Sequence, residues 1–197
     1  MNWTVSKLLI KKILEHAEHY EWELKGLGMM RTYLSDDTKL HVWDSRYKVP
    51  NVSLTHEHPW TFESTVIVGR LVNRRLLATP MLESAADDPS TNPYMRSVVQ
   101  CGPGGYLLEE PTLVHLHSPR EEIIKEGESY RQKFDEIHQS YADDGTITIV
   151  KRVDYKEPRA AAVYWPYGEQ WVSSDPVMAT PAKVKDIADN ALRVWFS

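Results

Sequence analysis

The chain has 197 residues, enough for one domain with a substantial core, and its 42% hydrophobic and 26% charged content is ordinary for a soluble globular protein. A formal charge of -5 argues against a dedicated nucleic-acid binder, which needs a basic face. No apolar run reaches the roughly eighteen residues of a membrane span, and the single cysteine, Cys101, excludes an internal disulfide and fits a reducing, cytoplasmic compartment.

Residues Thr4 to Leu24 read as an amphipathic helix, because Val5, Leu9, Ile13, Ala17 and Tyr20 recur every three to four residues. Thr4 or Ser6 suits its N-cap, and Gly26 and Gly28 stop it. Met1 to Lys12 lacks the apolar core and cleavage site of a signal peptide, so none is expected. His16 and His19 have no acidic cluster beside them and read as surface or helix-end residues.

From Met29 the pattern changes to short strands separated by turn residues. Arg31 to Leu34 and Lys39 to Trp43 flank the turn Ser35-Asp36-Asp37. In the second of these, His41 alternates with Leu40 and Val42 and reads as a hydrogen-bonded structural histidine within reach of a site on a neighbouring strand. The stretch from Thr55 to Leu71, T-H-E-H-P-W-T-F-E-S-T-V-I-V-G-R-L, organises the chain. In a strand running from Val52 to His58, residues two apart share a side, so His56 and His58 present both imidazoles to one point. A turn after Pro59 brings Glu63 back beside them on the next strand. Two imidazoles and a carboxylate suit a first-row divalent metal.

Glu63 to Leu77 forms two strands bending near Gly69, the second studded with Arg70, Arg74 and Arg75. Met81 to Pro93 is a polar, proline-punctuated loop. Arg96 to Gln100 and Tyr106 to Glu109 make a hairpin around Cys101 to Gly105. Leu113 to His117 carries a second H-x-H, His115 and His117, which is outward and inert if Val114 and Leu116 face the core; Pro119 ends that strand. Further strands begin at Tyr130, at Ile137-His138 and, after Asp143-Asp144-Gly145, at Thr146. Tyr164, Trp165, Tyr167 and Trp171 either pack over the end of a barrel or wall a substrate pocket. A closing helix spans about 181–196, with Thr180 as N-cap and Pro181 in its first turn. Terminal helices of this kind cover a sheet or join two subunits as a homodimer.

Many short strands with helices only at the ends indicate a mainly β jelly-roll barrel at about 29–172, within one domain over 1–197 without internal repeats. The Thr55–Leu71 stretch resembles the first motif of the cupin superfamily, G-x5-H-x-H-x3,4-E-x6-G, through His56, His58, Glu63 and Gly69. Its leading glycine is absent and the last gap is one residue short. The second motif, G-x5-P-x-G-x2-H-x3-N, falls on Gly127 and His138, with Lys133, Asp135 and Ala142 replacing the inner proline, second glycine and asparagine. The resemblance covers roughly Asn51 to Lys151. It implies a cupin-type jelly-roll barrel in which His56, His58, Glu63 and His138 hold one metal ion, with His115 or His117 as rivals for the place of His138. It further implies an enzyme acting on a small organic molecule, first of all an Fe(II) dioxygenase-like oxidoreductase, with Tyr130 or an arginine such as Arg70 orienting the substrate. The alternatives are a non-redox isomerase, lyase or hydrolase using Zn(II), Ni(II) or Mn(II), or a metal- or ligand-binding protein without turnover.

Overall fold

The structure, a computed structural model, describes residues 4–49, 54–88, 91–100, 106–155, 160–172 and 176–197. Two helices, α1 (Thr4–Glu15) and α2 (Pro181–Phe196), bracket thirteen strands among these residues. The strands are β1 (Glu23–Lys25), β2 (Leu27–Tyr33), β3 (Thr38–Lys48), β4 (Thr55–His56), β5 (Trp60–Val68), β6 (Arg70–Pro80) and β7 (Pro93–Gln100). They continue as β8 (Thr112–Lys125), β9 (Ser129–Gln132), β10 (Ile137–Ala142), β11 (Ile147–Tyr155), β12 (Ala160–Pro166) and β13 (Val177–Met178). One sheet runs β13-β1-β2-β3-β11-β5-β9, and the second, β10-β4-β12-β7-β8-β6, closes on itself. The protein is mainly β, of jelly-roll type, with a helix at each end.

The first sheet buries both faces, and two-residue alternation assigns its side chains to them. Met30, Leu40, Val42, Ile147 and Ile149 pack on one side against Ile10, Ile13 and Leu14 of α1 and Val184, Ile187 and Ala191 of α2. On the other side Met29, Trp43, Phe62 and Val66 meet Leu71 and Ile124 of the second sheet. Both helices therefore cover the sheet, as amphipathic stripes require. The side chain of Thr180 accepts from Lys183 N at 3.5 Å and caps α2 as its sequence predicts. No described helix is long and apolar enough to cross a membrane.

Two elements depart from the periodicity. Helix α1 stops at Glu15 rather than near Leu24, and Ala17–His19 forms a 3-10 turn. Trp22 is driven into the core with its Nε1 donating to Ala17 O at 2.9 Å, and β1 then pairs with β2 and β13, which outweighs another helical turn. Strand β8 passes through Pro119 to Lys125. Its ladder with β6 shifts register between Arg75 and Leu77, opposite this proline, and such a bulge is where a strand tolerates a residue without an N–H. Of the hairpin after β7, Leu107 bridges to Val99, whereas Cys101 to Gly105 lies outside the described residues. So do Asn51 and Val52 and the side chains of Thr4 and Ser6.

Gly69 joins β5 to β6 with φ +84°, and a Cβ there would sit 2.5 Å from Thr146 Oγ1 and 3.1 Å from its Cα. Gly127, in the turn after β8, has φ +83° and open space around it. Gly69→Ala is expected to lower unfolding free energy by more than about 2 kcal/mol, and Gly127→Ala by only about 1 kcal/mol, the left-handed backbone cost alone. Denaturant unfolding of the two variants checks the ranking.

Candidate metal centre

The shortest named strands decide the site. Strand β4 is wedged between β10 and β12, where His56 pairs with His138 on one side and Val163 on the other. Glu57 N then donates to Ala162 O at 2.9 Å, which fixes the chain as it leaves β4 and delivers His58 to the same side as His56. The three imidazoles meet with ring centroids 4.7 Å (His56–His58), 4.8 Å (His56–His138) and 5.1 Å (His58–His138) apart. One nitrogen of each lies within 4.8 Å of the others.

Hydrogen bonds behind two of the rings set their tautomers. His138 Nδ1 lies 3.0 Å from Asn73 Oδ1, and His56 Nδ1 lies 3.1 Å from Leu54 O. Both partners are carbonyl oxygens that only accept, so each Nδ1 carries the proton and each Nε2 keeps its lone pair. Asn73 is itself oriented by donating to Gln132 Oε1 at 3.2 Å, and Gln132 donates to Glu136 O at 3.0 Å. Asn73 and Gln132 are fully buried. Burial lowers the pKa of His56 to about 4, and burial followed by the neighbouring rings holds His58 and His138 well below the ordinary histidine value. All three are neutral at pH 7, the form that binds metal.

The donor set fits a divalent ion. His58 Nε2 and His138 Nε2 are 3.1 Å apart. Two nitrogens about 2.0–2.1 Å from one ion and near a right angle lie roughly 3 Å from each other. The outer hydrogen bonds are of the kind that orient metal-binding histidines.

The remaining candidates fall elsewhere. On β5, Phe62 and Ser64 line the cavity while Glu63 between them faces outward, its side chain 52% exposed and 3.7 Å from Arg131 Nη1. The strand begins at Trp60, so alternation turns Glu63 away from the histidines, and no carboxylate joins their cluster among the described residues. Glu57 is half-buried, but it accepts from Tyr164 Oη at 2.6 Å, and burial raises its pKa. Arg70 is exposed and paired with Asp143, because its neighbour Leu71 takes the inward position; Arg74 pairs with Glu121 and Arg75 with Glu122. None of these arginines lines the cavity beside the histidines.

Tyr130 does line it, buried, with its ring 6.0 Å from Phe62, whose ring is 5.1 Å from His58. His115 and His117 stack 4.1 Å apart with Val114 and Leu116 buried behind them, and His117 contacts Thr79. This is the outward arrangement. His16 and His19 gather with Glu18 at an exposed turn. Of the aromatic group, Tyr164 and Trp165 are buried, Tyr167 is exposed and Trp171 lines the cavity.

That cavity, of about 410 Å³, runs between the two sheets with the histidines in its wall. Asn73 and Gln132 escape sequence reasoning because β6 and β9 are rich in polar residues that look solvated. His41 lines the same cavity, and its Nε2 has no partner, contrary to the hydrogen-bonded role its strand suggests.

No protein-family model matches the chain, and no curated protein matches it. Among solved structures it is similar to hydroquinone 1,2-dioxygenase from Sphingomonas sp. TTNP3 with 4-hydroxybenzoate bound, at 10% identity and a TM-score of 0.31. The match covers 61% of this chain and 62% of that one, under two thirds of that protein's length. A superposition that loose transfers neither activity nor ligand.

Neutral burial of the histidines has a pH signature. Their folded pKa values lie below the unfolded value of about 6.5, so the unfolded chain takes up protons first as pH falls, and stability present above pH 6.5 is lost on acidification. For His56 the loss runs from about pH 6.5 to about 4. Metal-free protein is expected to lose about 1–2 kcal/mol more between pH 7 and pH 5 than a His56→Gln variant, read from urea unfolding at both pH values.

Proposed function

We propose that the chain is a metal-dependent cupin-type enzyme in which His56, His58 and His138 hold one divalent ion. The cavity beside them receives a small organic substrate. The observation that carries this reading is the convergence of three neutral imidazoles, two of them oriented through Nδ1 by Asn73 and Leu54. Three protein ligands leave coordination positions open, which is what separates a catalytic centre from a closed structural one. Imidazole donors suit Fe(II), Zn(II) and Ni(II), whereas Mn(II) prefers the oxygen ligands that this cluster lacks.

Fe(II) bound there supplies one-electron and Lewis-acid chemistry for a dioxygenase-like oxidation. The protein's own part is to hold the ligands, shape the space and exclude water. Phe62 and Trp60 flank His58 at centroid distances of 5.1 and 5.4 Å and shield it from solvent. Tyr130 is protonated at neutral pH, as a phenol ordinarily is, and burial raises its pKa further, so it can donate a hydrogen bond to a substrate oxygen. A second reading has one specific support. A set of three imidazoles without a carboxylate is also a zinc set that activates water, which leads to a hydrolase or lyase. Elemental analysis of the purified protein, then dioxygen uptake by the Fe(II)-loaded form, divides the two.

The assignment makes a ranked prediction for metal affinity, measured by competition with a chelator of known affinity. His56→Ala, His58→Ala and His138→Ala each lose more than about a hundredfold, and Asn73→Leu loses about 10–100-fold by releasing the His138 ring. Glu63→Gln and the double variant His115→Ala/His117→Ala stay within about twofold of wild type, since neither position touches the cluster. Wild-type affinity in the three histidine variants would remove the centre from this cavity.

A further inference from the structure

The same cavity carries two polar groups that the metal centre does not use. Lys39 and His41 stand two apart on β3 and so share its inner face, with relative exposures of 6% and 8%. Among the described residues no carboxylate lies within ion-pair distance of Lys39. The lining carboxylate near it, Glu23, is held by Arg31 at 2.6 Å. The Lys39 ammonium rests instead over the rings of Tyr33, at 4.9 Å, and Trp60, at 5.5 Å. Aromatic faces compensate a desolvated cation only in part. Burial, with Arg31 and Arg152 nearby, lowers its pKa to about 7. His41 Nε2 is buried without a hydrogen-bond partner among the described residues.

Arg31, Arg152 and Lys25 line the cavity too, each with contacts of its own, Arg31 with Glu23 at 2.6 Å. Among the described residues its carboxylates, Glu23 and Glu57, are already engaged by Arg31 and Tyr164. An anion would give Lys39 and His41 the partner that the described residues do not. One ammonium and one neutral imidazole, whose Nε2-protonated tautomer donates, match a monoanion with two oxygens better than a phosphate, which calls for more donors. The adjoining walls, Tyr33, Trp60, Phe62 and Trp171, are aromatic.

We propose that the cavity binds a small aromatic carboxylate, its carboxyl group held by Lys39 Nζ and His41 Nε2 and its ring against Trp60. The inference deepens the proposed function by naming a substrate class for that cavity, but the carboxylate contacts are made by β3 and need no bound metal. Calorimetric titration of full-length protein, metal-free and metal-loaded, with benzoate and with its neutral isostere benzamide tests it. Metal-free wild type is expected to bind benzoate at least about tenfold more tightly than benzamide, a difference of about 1.4 kcal/mol. Lys39→Met is expected to abolish that preference, and Lys185→Met, on the exposed face of α2, to keep it.

Equal affinities for the two probes, or no benzoate binding in either form, would overturn the proposal. The wild-type comparison decides it even if Lys39→Met does not fold. Displacement of benzoate by equimolar inorganic phosphate would overturn the choice of a carboxylate. Loss of metal binding with the benzoate preference intact would overturn the metal centre alone. Metal binding without the preference would overturn this inference alone.

Discussion

The antiparallel pairing of His56 with His138 is the constraint on which the site depends. Strand β4 is two residues long, and neither its length nor its composition would hold it in place without β10 and β12 on its two edges. By filling that gap it closes the second sheet, and the closure brings together residues 82 positions apart in the chain. The ring positions follow from the backbone, and the ring orientations follow from Leu54 O and Asn73 Oδ1. A buried imidazole that lacked those acceptors would leave an N–H unsatisfied, at a cost of about 1–3 kcal/mol. The fold thus supports three neutral rings, two of which, His56 and His138, turn Nε2 lone pairs toward the cluster, while His58 Nε2 meets His138 Nε2 at 3.1 Å. That state is costly to assemble for stability alone and well suited to an ion.

The cavity is chemically divided. The histidines, with Phe62 and Tyr130 beside them, offer neutral donors in an apolar setting. Strands β2 and β3 contribute Arg31, Lys39 and His41 from their inner faces. Both groups come from the same alternation that builds the core between the sheets, so one folding pattern supplies the histidine cluster, the aromatic walls and the cationic groups. Electrostatic interactions are strengthened where water is scarce, and a ligand that spans the cavity would feel both ends. A metal centre of neutral ligands also keeps the ion's full charge, which favours an anionic partner.

Much of the architecture was legible because it rests on local rules. The strand-turn rhythm after Met29, the helix from Pro181 and the shared side of His56 and His58 all follow from spacing. Spacing to Gly127 also pointed to His138, which lies beside His56 and His58. Gly127 has φ +83°, and Asp135, standing where the motif has its second glycine, adopts φ 60°. Both positions are left-handed, one of them without a glycine. Glu63 shows where pattern misleads. Its distance along the chain matches the motif, but its side is set by where β5 begins, and a shift of one residue reverses a side chain's direction. Lys39 and Asn73 were hidden for another reason. A polar residue in a strand reads as solvated until the opposing sheet is known, and both are buried by contacts with residues remote in sequence.

X-ray diffraction from crystals of the metal-loaded protein, recorded on either side of the metal's absorption edge, tests the central claim most directly. One strong anomalous peak is expected within about 2.0–2.3 Å of a ring nitrogen of each of His56, His58 and His138, with Nε2 as the ligand of His56 and His138. The Glu63 carboxylate should remain on the outer face. A peak at the exposed His16, Glu18 and His19 group with none between β4 and β10 would contradict it, as would an ion bound through Glu63.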